Sequence, residues 1–242
     1  MKADHSFGMR HRVSWRVYVM VCSLILMIVL MPVINTTDWP ILDILFTVVI
    51  IAAISVAGES RRSLVIGLCL GIPALVVAWI ANVVENNVLA IVNYSLSSFI
   101  FLYVFLLMMR KIFKTKTVTL ETILLAISCY IMLGLLWVLI YIPIELLAAD
   151  SISTLAEPGK GKLFAELHYF SYVTLTTLGY GDITPTSPLA RSVAILEAIT
   201  GALFLAILIA RLVSAYEVSE MRELEEDEKS EPADDSGELV KE

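Results

Sequence analysis

The chain has 242 residues, 58% of them hydrophobic, and a mean hydropathy of +0.83. A water-soluble core has no use for that much apolar surface, so the composition excludes an ordinary soluble domain and indicates a membrane protein. The formal net charge of -7 is local: residues 217–242 hold twelve acids against three bases, and the remainder is weakly basic. This pattern offers no basic face for nucleic acid.

A bilayer-spanning helix needs about 20 mostly apolar residues. Six such runs occur in order, at 15–34, 41–57, 63–80, 88–109, 118–142 and 189–214. The basic front and apolar middle of 1–34 also suit a cleaved signal peptide, but its apolar run is long and no small-x-small site precedes Asn35, so the run is read as a span. Asn35 and Asn93 each open an N-x-S/T triplet; Asn93 falls inside a span, and Asn35 is read as a chance match. Cys22, Cys69 and Cys129 lie in apolar runs at spacings that suit neither zinc nor a disulfide framework, and are expected to be small buried hydrophobes.

Basic residues alternate with their absence from loop to loop. Lys2, Arg10, Arg12 and Arg16 precede the first span, Arg61 and Arg62 follow the second, and Arg110, Lys111, Lys114 and Lys116 follow the fourth. The loops at 35–40 and 81–87 carry none. By the positive-inside rule this places both termini in the cytoplasm and the interval 143–188 outside. The expected division is a cytoplasmic N-terminus (1–14), a four-helix membrane domain (15–110), a second membrane unit (111–217) and an acidic, disordered cytoplasmic tail (218–242).

The interval 143–188 holds a semi-apolar piece, 163–178, too short to cross and therefore expected to be re-entrant. The stretch TLTTLGYGDITP, Thr174 to Pro185, comes next. Non-helical backbone at membrane depth persists only inside protein or along a water-filled path. Bare carbonyls are uncharged oxygen ligands for a hard cation. Aiming several of them one way needs dihedrals that Gly179 and Gly181 adopt freely. Leu178 and Tyr180 then turn their side chains into packing, and the Thr177 hydroxyl adds an oxygen.

Thr176–Thr177, the GYGD of Gly179 to Asp182, the short helix before and the span after together resemble the pore module of potassium channels, over about residues 118–217. Leu178 stands where valine is more usual. The resemblance implies an all-α membrane protein with a re-entrant pore helix and selectivity-filter loop between the fifth and sixth spans. It implies potassium held by the carbonyls of Thr177, Leu178, Gly179 and Tyr180 and by the Thr177 hydroxyl, with Gly181 shaping the outer mouth. One loop per chain then implies a homotetramer. Thr176, Asp182, Tyr169 and Glu197 are expected as filter supports, with Tyr169 and Phe170 at the family's aromatic cuff and Tyr169 in reach of Asp182. Val173 stands where some relatives carry a glutamate paired to the filter aspartate. Gly201 is a hinge or a packing glycine. Ala202, Leu205, Ile209 and Val213 share a face and are expected at the cavity and gate.

Glu197, ionisable within a span, is expected to hold the filter from behind through hydrogen bonds. His168 is expected as a surface or interface residue rather than a sensor. Glu145, Asp150, Glu157, Glu166 and Asp182 are candidates for an acidic vestibule, Asp182 foremost. Residues 88–109 contain no Arg or Lys, so steep voltage gating is not expected. No nucleophile constellation indicates an enzyme. No cofactor is implied beyond the permeant potassium ion, and the expected partners are other copies of the chain and membrane lipid, not nucleic acid or a soluble substrate. The expected location is the plasma membrane, as a multi-pass protein of a bacterial inner membrane. Two other readings fit the same residues: a less selective cation channel, and a non-conducting membrane subunit of a channel complex.

Overall fold

The computed structural model describes residues 13–34, 41–57, 61–84, 86–115, 118–153 and 160–230. The expectations for residues 1–12, the loops 35–40 and 58–60, Asn35, Lys116, Glu157 and the tail 231–242 lie outside them. The described residues form seven helices and one two-residue strand pair: α1 Trp15–Ile34, α2 Ile41–Ala57, α3 Arg61–Val83, α4 Asn87–Lys114, α5 Leu120–Leu147, β1 Ile152–Ser153, α6 Lys160–Leu175, β2 Thr184–Pro185 and α7 Pro188–Ser230.

Among the described residues three helical segments are long and apolar enough to cross a membrane: Asn87–Lys114, Leu120–Leu147 and Pro188–Ser214. Shorter apolar stretches run over Trp15–Leu30, Phe46–Val56 and Val65–Ala78. The chain is thus a multi-pass, mostly helical membrane protein. Cys129 is buried, but Cys22 and Cys69 are exposed on their helices, so two of the three cysteines do not serve as the buried packing expected of them.

Helix ends are set by caps that hydropathy does not register. Asn86 caps α4 by accepting from Val88 N at 2.8 Å, and Thr119 caps α5 by accepting from Thr122 N at 3.3 Å. The Ser187 hydroxyl accepts from Ala190 N at 3.2 Å and Pro188 opens α7, where its missing N–H costs nothing. At the other end, α4 outruns its apolar stretch by a turn. Arg110, Lys111 and Lys114, expected in a loop, are helical, and Lys111 and Lys114 complement the negative end of the helix. Helix α5 likewise continues through Pro143 to Leu147. Helix α7 continues to Ser230, so residues 218–230 are helical rather than disordered; Glu, Met, Arg, Leu and Lys are strong helix formers.

The core sits where α5 packs against α1, α4, α6 and α7. Met132, Leu135, Val138 and Leu139 of α5 are buried, as are Leu167 of α6 and Ile100 and Met108 of α4. Helix α2 reaches this core through Phe46, which lies edge-on to Phe164 of α6 (5.3 Å) and Phe101 of α4 (5.8 Å). Strands β1 and β2 pair antiparallel, Ile152 with Pro185 and Ser153 with Thr184, tying the segment after α5 to the segment before α7.

Candidate functional site

Helix α6 ends at Leu175, three residues earlier than the apolar run suggests, and the way it ends shapes the loop beyond it. Leu178 N donates to Val173 O at 2.9 Å and Thr177 N donates to Thr174 O at 3.0 Å. Thr177 between them is left-handed, with φ 58°. This is the six-to-one and five-to-two bond pair of a Schellman cap, with threonine at the position glycine usually takes. The Thr176 hydroxyl donates to Tyr172 O at 2.7 Å, occupying another end carbonyl.

From this cap the chain runs in alternation. Thr177, Gly179 (φ 56°) and Gly181 (φ 80°) are left-handed, and Leu178 and Tyr180 between them are not. A Cβ on Gly179 or Gly181 would meet nothing within 4 Å, so glycine answers the dihedral and not a lack of space. Leu178 (55% exposed) and Tyr180 (67% exposed) stand clear of their own chain rather than packing within it. Beside them a recess of about 480 Å³ opens between the loop and α7, lined by Val173, Thr174, Gly179, Ile183, Ala194 and Ala198 among others.

The loop's outer side is anchored. Tyr169 Oη donates to Asp182 Oδ2 at 2.7 Å, and Asp182 Oδ1 accepts from Ile183 N at 3.0 Å. The tyrosine hydroxyl foremost, against an opposing desolvation, and then the backbone N–H groups of Ile183 and Asp182 hold the Asp182 carboxyl below its ordinary value. The same bond, with desolvation and the carboxylate's charge, pushes the Tyr169 hydroxyl up to about 12. The Glu145 carboxylate, a vestibule candidate, accepts from Asp150 N (2.8 Å) and Ile152 N (2.9 Å) and folds the corner after α5. That corner holds the far end of the loop, with Thr186 N donating to Ser151 O at 2.8 Å and the Thr186 hydroxyl donating to Asp150 O.

Glu197, expected as a support, lies behind the loop together with Phe170 and Gly201. Glu197 is fully buried (0% exposed), and both its oxygens are engaged by hydroxyls, Ser171 from α6 at 2.5 Å and Tyr141 from α5 at 2.6 Å. Phe170 is buried edge-on to Tyr141 at 5.2 Å, as core packing. Gly201 lies against the end of α6, where a Cβ would stand 2.2 Å from Leu175 O; this close approach gives the packing reason for glycine. His168, expected as a surface or interface residue, is instead buried within the chain, stacked on Phe164 (6.3 Å) and close to Tyr172 (4.7 Å). One side of α6 faces α5 and α2, and His168 is on that side. Ala202, Leu205, Ile209 and Val213 are all exposed in the single chain, so none is spent on packing against α5.

Several contributors carried no signal in the sequence. Gly134 admits the Tyr172 ring, to which a Cβ there would approach within 2.7 Å. Tyr172 Oη donates to Ile131 O at 2.7 Å, and Ser171 Oγ lies 2.9 Å from Gly134 O. At the inner end Arg211 donates from Nη2 to Phe113 O (3.1 Å) and Thr115 O (2.8 Å), closing the last carbonyls of α4. These pairs lie far apart in sequence, and no periodicity foretells them.

Residues 140–218 match the ion channel family described as Ion channel (Ion_trans_2), so the C-terminal part of the chain carries an ion channel domain. The chain is 44% identical over 52 residues, 22% of its length, to "Two-pore potassium channel 4" of Arabidopsis thaliana, covering 18% of that protein. It is 41% identical over 61 residues, 25% of its length, to "Potassium voltage-gated channel subfamily A member 10" of Mus musculus, covering 12% of it. It is 39% identical over 61 residues, again 25% of its length, to "Inward rectifier potassium channel Kirbac3.1" of Paramagnetospirillum magnetotacticum, covering 20% of it. The chain thus spans about an eighth to a fifth of the length of the curated relatives it matches. No solved structure matches it.

Proposed function

We propose that this chain is the subunit of a homotetrameric potassium channel, with six spans, a re-entrant α6, and the Thr177–Gly181 loops of four copies surrounding one ion path. The observation that carries the reading is the alternation of left-handed backbone at Thr177, Gly179 and Gly181 in an exposed loop at the C-terminal end of a short helix. Alternating dihedrals of this kind turn successive carbonyls toward one side. The carbonyls of Thr177, Leu178, Gly179 and Tyr180, with the Thr177 hydroxyl, then replace the water around a potassium ion. The C-terminal end of α6 carries a partial negative charge that favours a cation beneath the loop.

The bare Leu178 and Tyr180 side chains and the open recess beside α7 fit neighbouring copies, which would complete the packing that one chain leaves undone. The similarity to proteins named as potassium channels supports the same ion. Conduction is passive and involves no covalent chemistry. Residues 88–109 of the fourth helix carry no Arg or Lys for the membrane field to move, so gating is not steeply voltage-dependent.

The test is ion flux into liposomes holding only the purified protein, with potassium and sodium gradients in parallel and Gly179→Asp as control. Potassium flux well above sodium flux, and lost in the variant, is the expected result. Equal sodium flux would replace this reading with a less selective cation channel. Silence under varied voltage and pH would contradict self-sufficient conduction and favour a subunit of a larger complex.

A further inference from the structure

The buried junction behind the loop has more contacts than its hydroxyls have protons. Glu197 Oε2 lies 2.6 Å from Tyr141 Oη, Glu197 Oε1 lies 2.5 Å from Ser171 Oγ, and Ser171 Oγ lies 2.9 Å from Gly134 O. Each contact needs one hydrogen between its oxygens. A tyrosine and a serine hydroxyl bring one each, and a backbone carbonyl brings none. Tyr141 supplies the first contact. Ser171 supplies either of the other two, but not both.

An ionised Glu197 would leave Ser171 facing two acceptors with a single hydrogen, and one close oxygen pair bare. The short distances suit either a carboxylate accepting two hydroxyls or a carboxyl donating one. The hydrogen count separates the two. It closes when Oε1 carries a proton and donates to Ser171 Oγ, which then donates to Gly134 O.

The charge surroundings agree. Glu197 is wholly enclosed, and among the described residues no Lys, Arg or His pairs with it. The titratable groups near it are Tyr141 of α5 and Tyr172 of α6, with Tyr130 of α5 beyond Tyr172. None is cationic, and the Tyr172 hydroxyl is committed to Ile131 O at 2.7 Å. A carboxylate buried without a cation is costly, and taking up a proton removes the cost.

We propose that Glu197 is a proton-binding site whose bound proton closes the chain Tyr141–Glu197–Ser171–Gly134, joining α7 to α6 and α5 behind the loop. When the proton leaves, Ser171 has one hydrogen for two acceptors, so either its bond to Glu197 of α7 or its bond to Gly134 O of α5 is lost, and a charge appears behind the loop. The support is therefore complete while the proton is bound and broken once it leaves.

The site can be read without any ion flux, so its failure is distinct from failure of the channel reading. Infrared spectra of the purified full-length protein in lipid, at neutral pH, report the carbonyl stretch of protonated carboxyl groups. Wild type minus Glu197→Gln is expected to show loss of one such band, with the carboxylate bands unchanged. Ser171→Ala, which keeps the carboxyl but removes its acceptor, is expected to shift that band. The Gln variant, whose amide donates to Ser171 and accepts from Tyr141, is expected to keep the wild-type melting temperature, while Glu197→Ala lowers it. Loss of carboxylate intensity in the Gln variant, or no shift in Ser171→Ala, would overturn the proposal. If Glu197→Gln fails to fold, the Ser171→Ala shift and an alkaline titration of the wild-type band decide alone. A band that disappears with rising pH supports the site, and a band absent throughout sinks it.

Discussion

Thr177 holds a left-handed conformation that a β-branched residue resists, at a strain of about 1–2 kcal/mol. The helix cap would form more easily with glycine there, so the threonine is kept for something other than folding. Thr177→Gly is predicted to raise stability by about 1 kcal/mol per chain, seen as a higher melting temperature, while lowering discrimination between potassium and sodium. A destabilised variant with intact discrimination would mean that the hydroxyl serves the cap and not the ion.

Asp182 and Tyr169 give a second residue-scale prediction. The Asp182 carboxyl is held below its ordinary 3.8, so its contribution is present above that value and is lost as pH falls below it. Tyr169 is raised from 10.0 to about 12, so its contribution is complete below 10.0 and is lost as pH climbs toward 12. The melting-temperature gap between wild type and Tyr169→Phe is therefore expected to be flat between those limits and to shrink beyond both. A gap that varies around neutral pH would contradict the assignment. This pair was legible in the sequence only through the resemblance, which implies an aromatic position on the short helix within reach of Asp182. The partners of Glu197 were not: Ser171 is 26 residues away and Tyr141 is 56, on helices whose facing sides no repeat reveals.

At the scale of elements, α6 is held by close contacts that leave no space for a methyl group. Gly201→Ala forces a carbon toward Leu175 O, and overpacking of this kind costs about 1–3 kcal/mol. A lower melting temperature, by intrinsic fluorescence, is the expected outcome; unchanged stability with altered open times would instead make Gly201 a hinge. Arg211 clips α7 to the end of α4, and Arg211→Ala is predicted to loosen the last turn of α4 by about 1 kcal/mol, read as about fivefold faster amide exchange near residues 112–115. Unchanged exchange there would show that the clip contributes nothing to that turn.

The apolar runs located these helices because hydropathy reports the stretch matched to a bilayer. It did not report where α4, α5 and α7 stop, since polar caps and charged turns decide that outside the apolar stretch. Nor did it find His168 turned inward or Glu145 folded into a corner. A lone polar residue in a short amphipathic piece has no periodicity to reveal its side, and a carboxylate that caps backbone amides reads in sequence like any solvated charge.

For the whole molecule, a single chain leaves the Thr177–Gly181 loop bare. Leu178, Tyr180, Leu203, Leu205, Ile209 and Val213 are exposed along the loop and α7, on the side away from the α5 core. In the proposed tetramer these residues would line the ion path or meet a neighbour, which would couple folding of the pore unit to assembly. The measurement that tests this most directly is the reversal potential of the purified protein in a planar bilayer, with potassium on one side and sodium at equal concentration on the other. A potassium-selective pore gives a reversal potential displaced far toward the potassium equilibrium potential, and this is the expected result. A reversal potential at zero would contradict it, since a carbonyl cage built by this loop would then not distinguish the two ions.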